Sequence, residues 1–318
     1  MSRQSAFDHH PERTYAVVLA MLAVAAAAGF WMSLTSPEVP GTEQLTFEDA
    51  VDAVGIMLFG VLGLALLARD RAAGLGRAMI LMASMIGLDY FLSGLGDALA
   101  GGHTDPSAAA QLLNVAAESA FVVTFFLLAM APMLLFPTGR LPSRRWRWPA
   151  GAGIAGCVAA VLSVLLAPGP VDEDVPAWGD NPMGLEAAPG LVDALEMVGL
   201  LLLAGGMLLG LGAFVTRWLR YRGLRRRQMA WFTVGVVVLV PGLAADTDGD
   251  SVTLEVLLAM SIFGTMLFGI GWPLLGPLGA RADAAEELTT AESETEPTGE
   301  GPGFTSSTDP RRAQPRHL

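Results

Sequence analysis

The chain has 318 residues, 53% of them hydrophobic, with a formal net charge of −12 and a sequence pI near 4.7. A mean hydropathy of +0.50 is too high for a water-soluble domain, and the acidic balance disfavours a nucleic-acid partner. All 19 basic residues are arginines, and the one cysteine, Cys157, sits inside an apolar run, so no intramolecular disulfide can form.

About twenty apolar residues cross a hydrocarbon core of roughly 30 Å, and eight stretches approach that length. In chain order they are 15–35, 51–68, 78–100, 112–136, 149–167, 191–216, 229–245 and 252–276. The expected fold is therefore all-α, a polytopic transmembrane bundle of about eight helices over 15–277. A short segment, 1–14, precedes it, and an acidic segment, 278–318, follows. In that last segment Glu286, Glu287, Glu292, Glu294, Glu296 and Glu300 alternate with Thr, Ser, Gly and Pro without apolar periodicity, which predicts a disordered tail. Arg3 and Arg13 before the first run also suit a secretory signal, but Phe30, Trp31 and Met32 continue the apolar run beyond the small-residue site near Ala28. An uncleaved first helix is the expectation.

Arginines mark alternate loops. Arg69, Arg71 and Arg77 follow the second run, Arg140, Arg144, Arg145 and Arg147 the fourth, and Arg217, Arg220, Arg222, Arg225, Arg226 and Arg227 the sixth. The intervening loops carry acids, among them Glu38, Asp105, Asp172, Asp174 and Asp246, and no arginine. Cations near helix ends stay on the cytoplasmic side, so both termini are expected there and the location is the plasma membrane. Arg144, Arg145, Arg147, Arg220, Arg225, Arg226 and Arg227, interleaved with Trp218, Tyr221 and Trp231, are expected to contact anionic headgroups at the inner interface.

Acids at membrane depth cost about 2.5 to 3.5 kcal/mol at a helix centre and are functional candidates by default. Asp89 lies halfway along the third run, with Ser93, Gly96 and Asp97 following on one helical face. Gln111, Asn114 and Glu118 share a face of the fourth, and Asp193 and Glu196 open the sixth. Asp52 and Glu255 begin the second and eighth at similar depth. These residues predict an outward-facing acidic vestibule, with Asp89, Asp97, Glu118, Asp193 and Glu196 as the candidate ligand or proton site. The plain alternative is that acids near outer helix ends simply reach water, while Asp89 is hydrogen-bonded in a helix contact.

Other patterns fail on spacing. Asp246, Asp248 and Asp250 begin like a calcium loop, but Ser251 stands where glycine is needed and Leu257 where a bidentate glutamate is needed. His9, His10, His103 and His317 lack further ligands at metal spacing. Gly206 and Gly210 allow close helix approach without specifying a dimer. No cofactor, metal or catalytic residue is predicted, and no enzymatic activity.

FPTGRLPSRRWR at Phe136 to Arg147, APGP at Ala167 to Pro170 leading to NPMGL at Asn181 to Leu185, and RYRGLRRRQMAWF at Arg220 to Phe232 together resemble the amino-terminal membrane-sensing region of sensor histidine kinases from high-GC Gram-positive bacteria. The resemblance is best over about 120–240. Such kinases continue into a histidine-bearing dimerisation segment and an ATP-binding domain, whereas only about forty residues follow the last apolar run here. The resemblance implies a non-catalytic relative of the sensing half that couples a stimulus to a separate signalling partner. The rival expectation is a small ion-coupled transporter that uses Asp89 with Glu118.

Overall fold

The computed structural model describes residues 11–42, 47–172, 174–245 and 267–277, with Arg281 and Ala284. Its long elements are helices: α1 (Pro11–Thr35), α2 (Phe47–Ala68), α3 (Ala73–Ala100), α4 (Ala108–Leu135), α5 (Arg147–Leu166), α6 (Pro189–Arg220) and α7 (Gly223–Ala245). A π-helical turn, Leu267–Gly271, runs into a last short helix, Trp272–Leu275. Among the described residues there is no strand, only an isolated bridge between Pro170 and Asp180. Five helices, within α1, α3, α4, α5 and α6, are long and apolar enough to cross a membrane. Large apolar side chains point outward from them, such as Val24 (71% exposed), Leu208 (71%) and Leu219 (75%), as hydrocarbon solvent demands. The protein is membrane-embedded.

Helix α3 is the hub, packed against α1, α2 and α4, while α5 and α6 form a hairpin laid on α4. Small residues set the closest approaches. A Cβ on Gly29 of α1 would run into the Tyr90 carbonyl oxygen of α3, and one on Gly94 of α3 would run into the Gly29 carbonyl oxygen. Here the two backbones touch. Gly206 and Gly210 of α6 serve the same purpose inside the chain: Gly206 is buried against Met130 and Gly153, and Gly210 against Met133.

These contacts bring the arginine-bearing turns to one end. The turn after α2 packs on the turn after α4, where a Cβ on Gly139 (φ +69°) would collide with the Ala72 backbone. That end holds the largest core, formed by residues such as Phe59, Leu66, Met79, Phe136, Met229 and Phe232. Phe136 and Phe232 stack with centroids 4.9 Å apart.

Backbone carbonyls at a helix C-terminus lack intrahelical donors, and in a bilayer they must find partners within the protein. Three helix ends solve this with side chains from remote segments. On α4, Pro132 O accepts from Phe136 N (3.0 Å) and Leu135 O from Gly139 N (2.7 Å), while the Arg217 guanidinium donates to Leu134 O and Phe136 O. On α5, Leu166 O accepts from Leu185 N (3.0 Å), and Asn181 Nδ2 donates to Leu165 O (3.2 Å) and Ala167 O (2.9 Å). At the last helix, Gln228 Nε2 donates to Pro273 O (2.9 Å), Arg71 Nη1 to Leu274 O (2.6 Å) and Arg69 Nη1 to Leu275 O (3.2 Å). A cation there also opposes the partial negative charge of the helix end.

Candidate functional site

At the end opposite the arginines, a cavity of about 760 Å³ lies between α1, α3 and the α5–α6 loop. Asp89, Ser93 and Asp97 line it, as the helical spacing predicts, while Gly96 turns away and packs on Ala110 and Leu113 of α4. Ser33 of α1 donates its hydroxyl to the Asp97 carboxylate. Glu38, Asp172 and Asp174 bring three further carboxyl groups to the rim.

A second cavity of about 630 Å³ adjoins the first and shares Asn114, Asp172 and Asp174 with it. Glu118 of α4 and Glu196 of α6 line this one, beside the hydroxyl of Ser163. Asp193 is exposed on α6 and lines neither cavity. Gln111 is likewise elsewhere, buried and occupied with Trp178 O at 2.9 Å. The side chain of Asp52, together with Glu255 and the Asp246, Asp248 and Asp250 run, lies outside the described residues.

The roof is the loop between α5 and α6. Val171 N bonds to Gly179 O and Asn181 N to Gly169 O, both at 2.8 Å, which draws the loop into a narrow hairpin. Trp178, 2% exposed, drops from the hairpin into an apolar nest of Val39, Ala100, Ala110 and Val175. Asp105 N bonds to Ala177 O (2.8 Å), so the turn between α3 and α4 holds the loop from below. The Asp172 carboxylate accepts from Asp174 N (2.9 Å) and Val175 N (3.2 Å), an Asx turn that fixes this acid at the wall shared by both cavities.

Each cavity is electrostatically one-sided. Glu38, Asp89, Asp97, Asp172 and Asp174 line the first and Glu118, Asp172, Asp174 and Glu196 the second, while no Arg or His lines either cavity among the described residues. Yet no three His, Cys, Asp or Glu among the described residues are grouped to hold a metal ion. The arrangement is a diffuse negative field over a polar opening, suited to attracting cations and not to chelating one.

Sequence reasoning named Asp89, Asp97, Glu118 and Glu196 as site residues but took Glu38, Asp172 and Asp174 only as loop acids. Their contribution depends on the α5–α6 loop folding inward, and the one local signal was the buried-type residue Trp178 inside an acidic loop.

The predicted inner-interface arginines Arg144, Arg145, Arg147, Arg220, Arg225, Arg226 and Arg227 are exposed, with Arg225 over the Tyr221 ring at 5.9 Å. Arg217 differs from them. It is 3% exposed, and its Nε has no hydrogen-bond partner among the described residues.

No protein-family model, no curated protein and no solved structure matches the chain. Three polar or turn-forming segments have structural work in this fold: Asn181 closes α5, Phe136 and Gly139 form the end of α4, and Gln228 closes the helix Trp272–Leu275.

Proposed function

We propose that the protein is a non-catalytic, sensor-like component of the plasma membrane, an eight-helix bundle with both termini cytoplasmic, in which the acidic vestibule receives a cationic or protonic stimulus. The observation that carries this reading is the asymmetry of the cavity along the bundle. Carboxylates crowd its opening, and deeper than Asp89 the interior is the apolar core around Phe59, Met79 and Met82. A polar vestibule that gives way to apolar packing among the described residues is suited to receiving a small cationic ligand or a proton. The resemblance to sensor-kinase membrane regions supports the same reading, with a separate signalling partner engaged at the arginine-bearing end.

Reconstitution tests it. In liposomes holding the purified protein, the sensing reading expects no ion-driven flux, and expects acidification or added cations on the vestibule side to change hydrogen exchange at the arginine-bearing turns. A flux that Asp89→Asn abolishes would replace it with the ion-coupled transporter.

A further inference from the structure

The described chain leaves the bundle beside a cluster of positive charge. Gln228 of α7 holds Pro273 by its carbonyl, and Arg71 and Arg69 hold Leu274 and Leu275, so this helix end is fixed to the residue that directly follows Arg225, Arg226 and Arg227. Pro277, Arg281 and Ala284 beyond it are helical. Those three, with Arg220 and Arg222, are exposed. The segment that follows, 285–300, carries six glutamates and no arginine. It lies outside the described residues.

The geometry points to an intramolecular docking surface: the arginine face at the head of α7 takes this chain's own acidic segment 285–300 as its occupant. Nine residues lie between Gly276 and Glu286, the helical Pro277, Arg281 and Ala284 among them. A helix over this stretch sets Glu286 about 15 Å from Gly276, and the residues beyond, at about 3.3 Å each when extended, can turn back to the first turn of α7. A tether this short holds the segment at an effective concentration of roughly millimolar, so several weak, exposed ion pairs suffice without a folded interface. Arg226 and Arg227 adjoin Gln228 in sequence and so lie by the anchor at Pro273, as Arg69 and Arg71 do, while Arg281 sits on the tether itself. While docked, the segment competes with the other anions that an arginine face recruits, phospholipid headgroups above all. This inference goes beyond the sensing proposal and holds whether or not the vestibule senses anything.

The test uses the full chain in nanodiscs of neutral phosphatidylcholine, with Cys157→Ala and spin labels at Leu224→Cys and Ser293→Cys. Docking predicts a short label-to-label distance at low ionic strength that lengthens in about 1 M salt, where screening falls to roughly 3 Å. The same lengthening is expected when the six glutamates of the segment become Gln, or when Arg222, Arg226 and Arg227 become Gln. Reversing both sides, with Arg226→Glu and Arg227→Glu against Glu292→Arg and Glu294→Arg, should restore the short distance, which a folding defect would not do. Anionic phosphatidylglycerol in the disc should lengthen it by competition. A distance indifferent to salt and to both neutralised sets overturns the proposal. So does headgroup binding of equal strength with and without the six glutamates, which would assign the arginine face to lipid alone.

Discussion

Arg217 of α6 donates its guanidinium to the carbonyl oxygen of Phe136, a residue 81 positions earlier in the chain, and with Leu134 O this closes the end of α4. The cationic head that topology rules assign to a wet interface is instead a buried cap joining two helices.

Replacing it should therefore damage the fold and not merely the orientation. Arg217→Met leaves two buried carbonyl groups unpaired at about 1–3 kcal/mol each. Thermal unfolding of the purified protein should show a marked loss for Arg217→Met and a smaller one for Arg217→Lys, because an ammonium keeps the charge but lacks the planar fork. An unchanged melting temperature in Arg217→Met would dismiss the cap.

Asn181 makes the same prediction at the other end. Asn181→Ala removes the donor to Leu165 O and Ala167 O and the acceptor of Met183 N, at about 1 kcal/mol per bond. Amide exchange at Met183 and Leu185 should accelerate while the core of α3 stays protected. Equal exchange in both proteins would show that the Asn181 side chain does not hold the loop.

Helix contact makes a contrast of glycines. Gly94→Ala forces α1 and α3 apart, with an overpacking cost of about 1–3 kcal/mol. Gly151→Ala meets nothing within 4 Å and gains about 0.5–1 kcal/mol of helix preference. Melting temperatures should move in opposite directions, and a shared direction would contradict the packing described.

Charge selectivity of the vestibule is measurable with a thiol at its shared wall. Asn114→Cys in a Cys157→Ala background should react faster with a cationic than an anionic methanethiosulfonate, by a factor of about 10 or more at low salt. Adding Asp89→Asn, Glu118→Gln and Asp172→Asn should erase most of that ratio. A preference absent from the start would mean that the carboxylates are neutral or screened.

How far the sequence foretells this structure differs by element. Hydropathy located α1 to α7 because each carries a run of about twenty apolar residues, though the helices begin two to six positions earlier, at Arg147, Ala73 or Gly223, for example. Hydrophobicity registers only hydrocarbon depth, and helices extend beyond it into the interface. The stripe Asp89, Ser93, Asp97 was legible from period alone. Asp172 and Asp174 were not, since a loop's path depends on long-range bonds such as Gln111 to Trp178 that no local pattern encodes. Arg217 misled for the opposite reason: five exposed arginines follow it, and composition gives no sign that one of the six turns inward.

Where Gly29 meets Gly94, two main chains bear directly on one another with no side chain to act as a cushion. A joint without padding has no slack. Ser33, one turn beyond on α1, reaches the Asp97 carboxylate of α3, so the floor of the vestibule is tied to this contact.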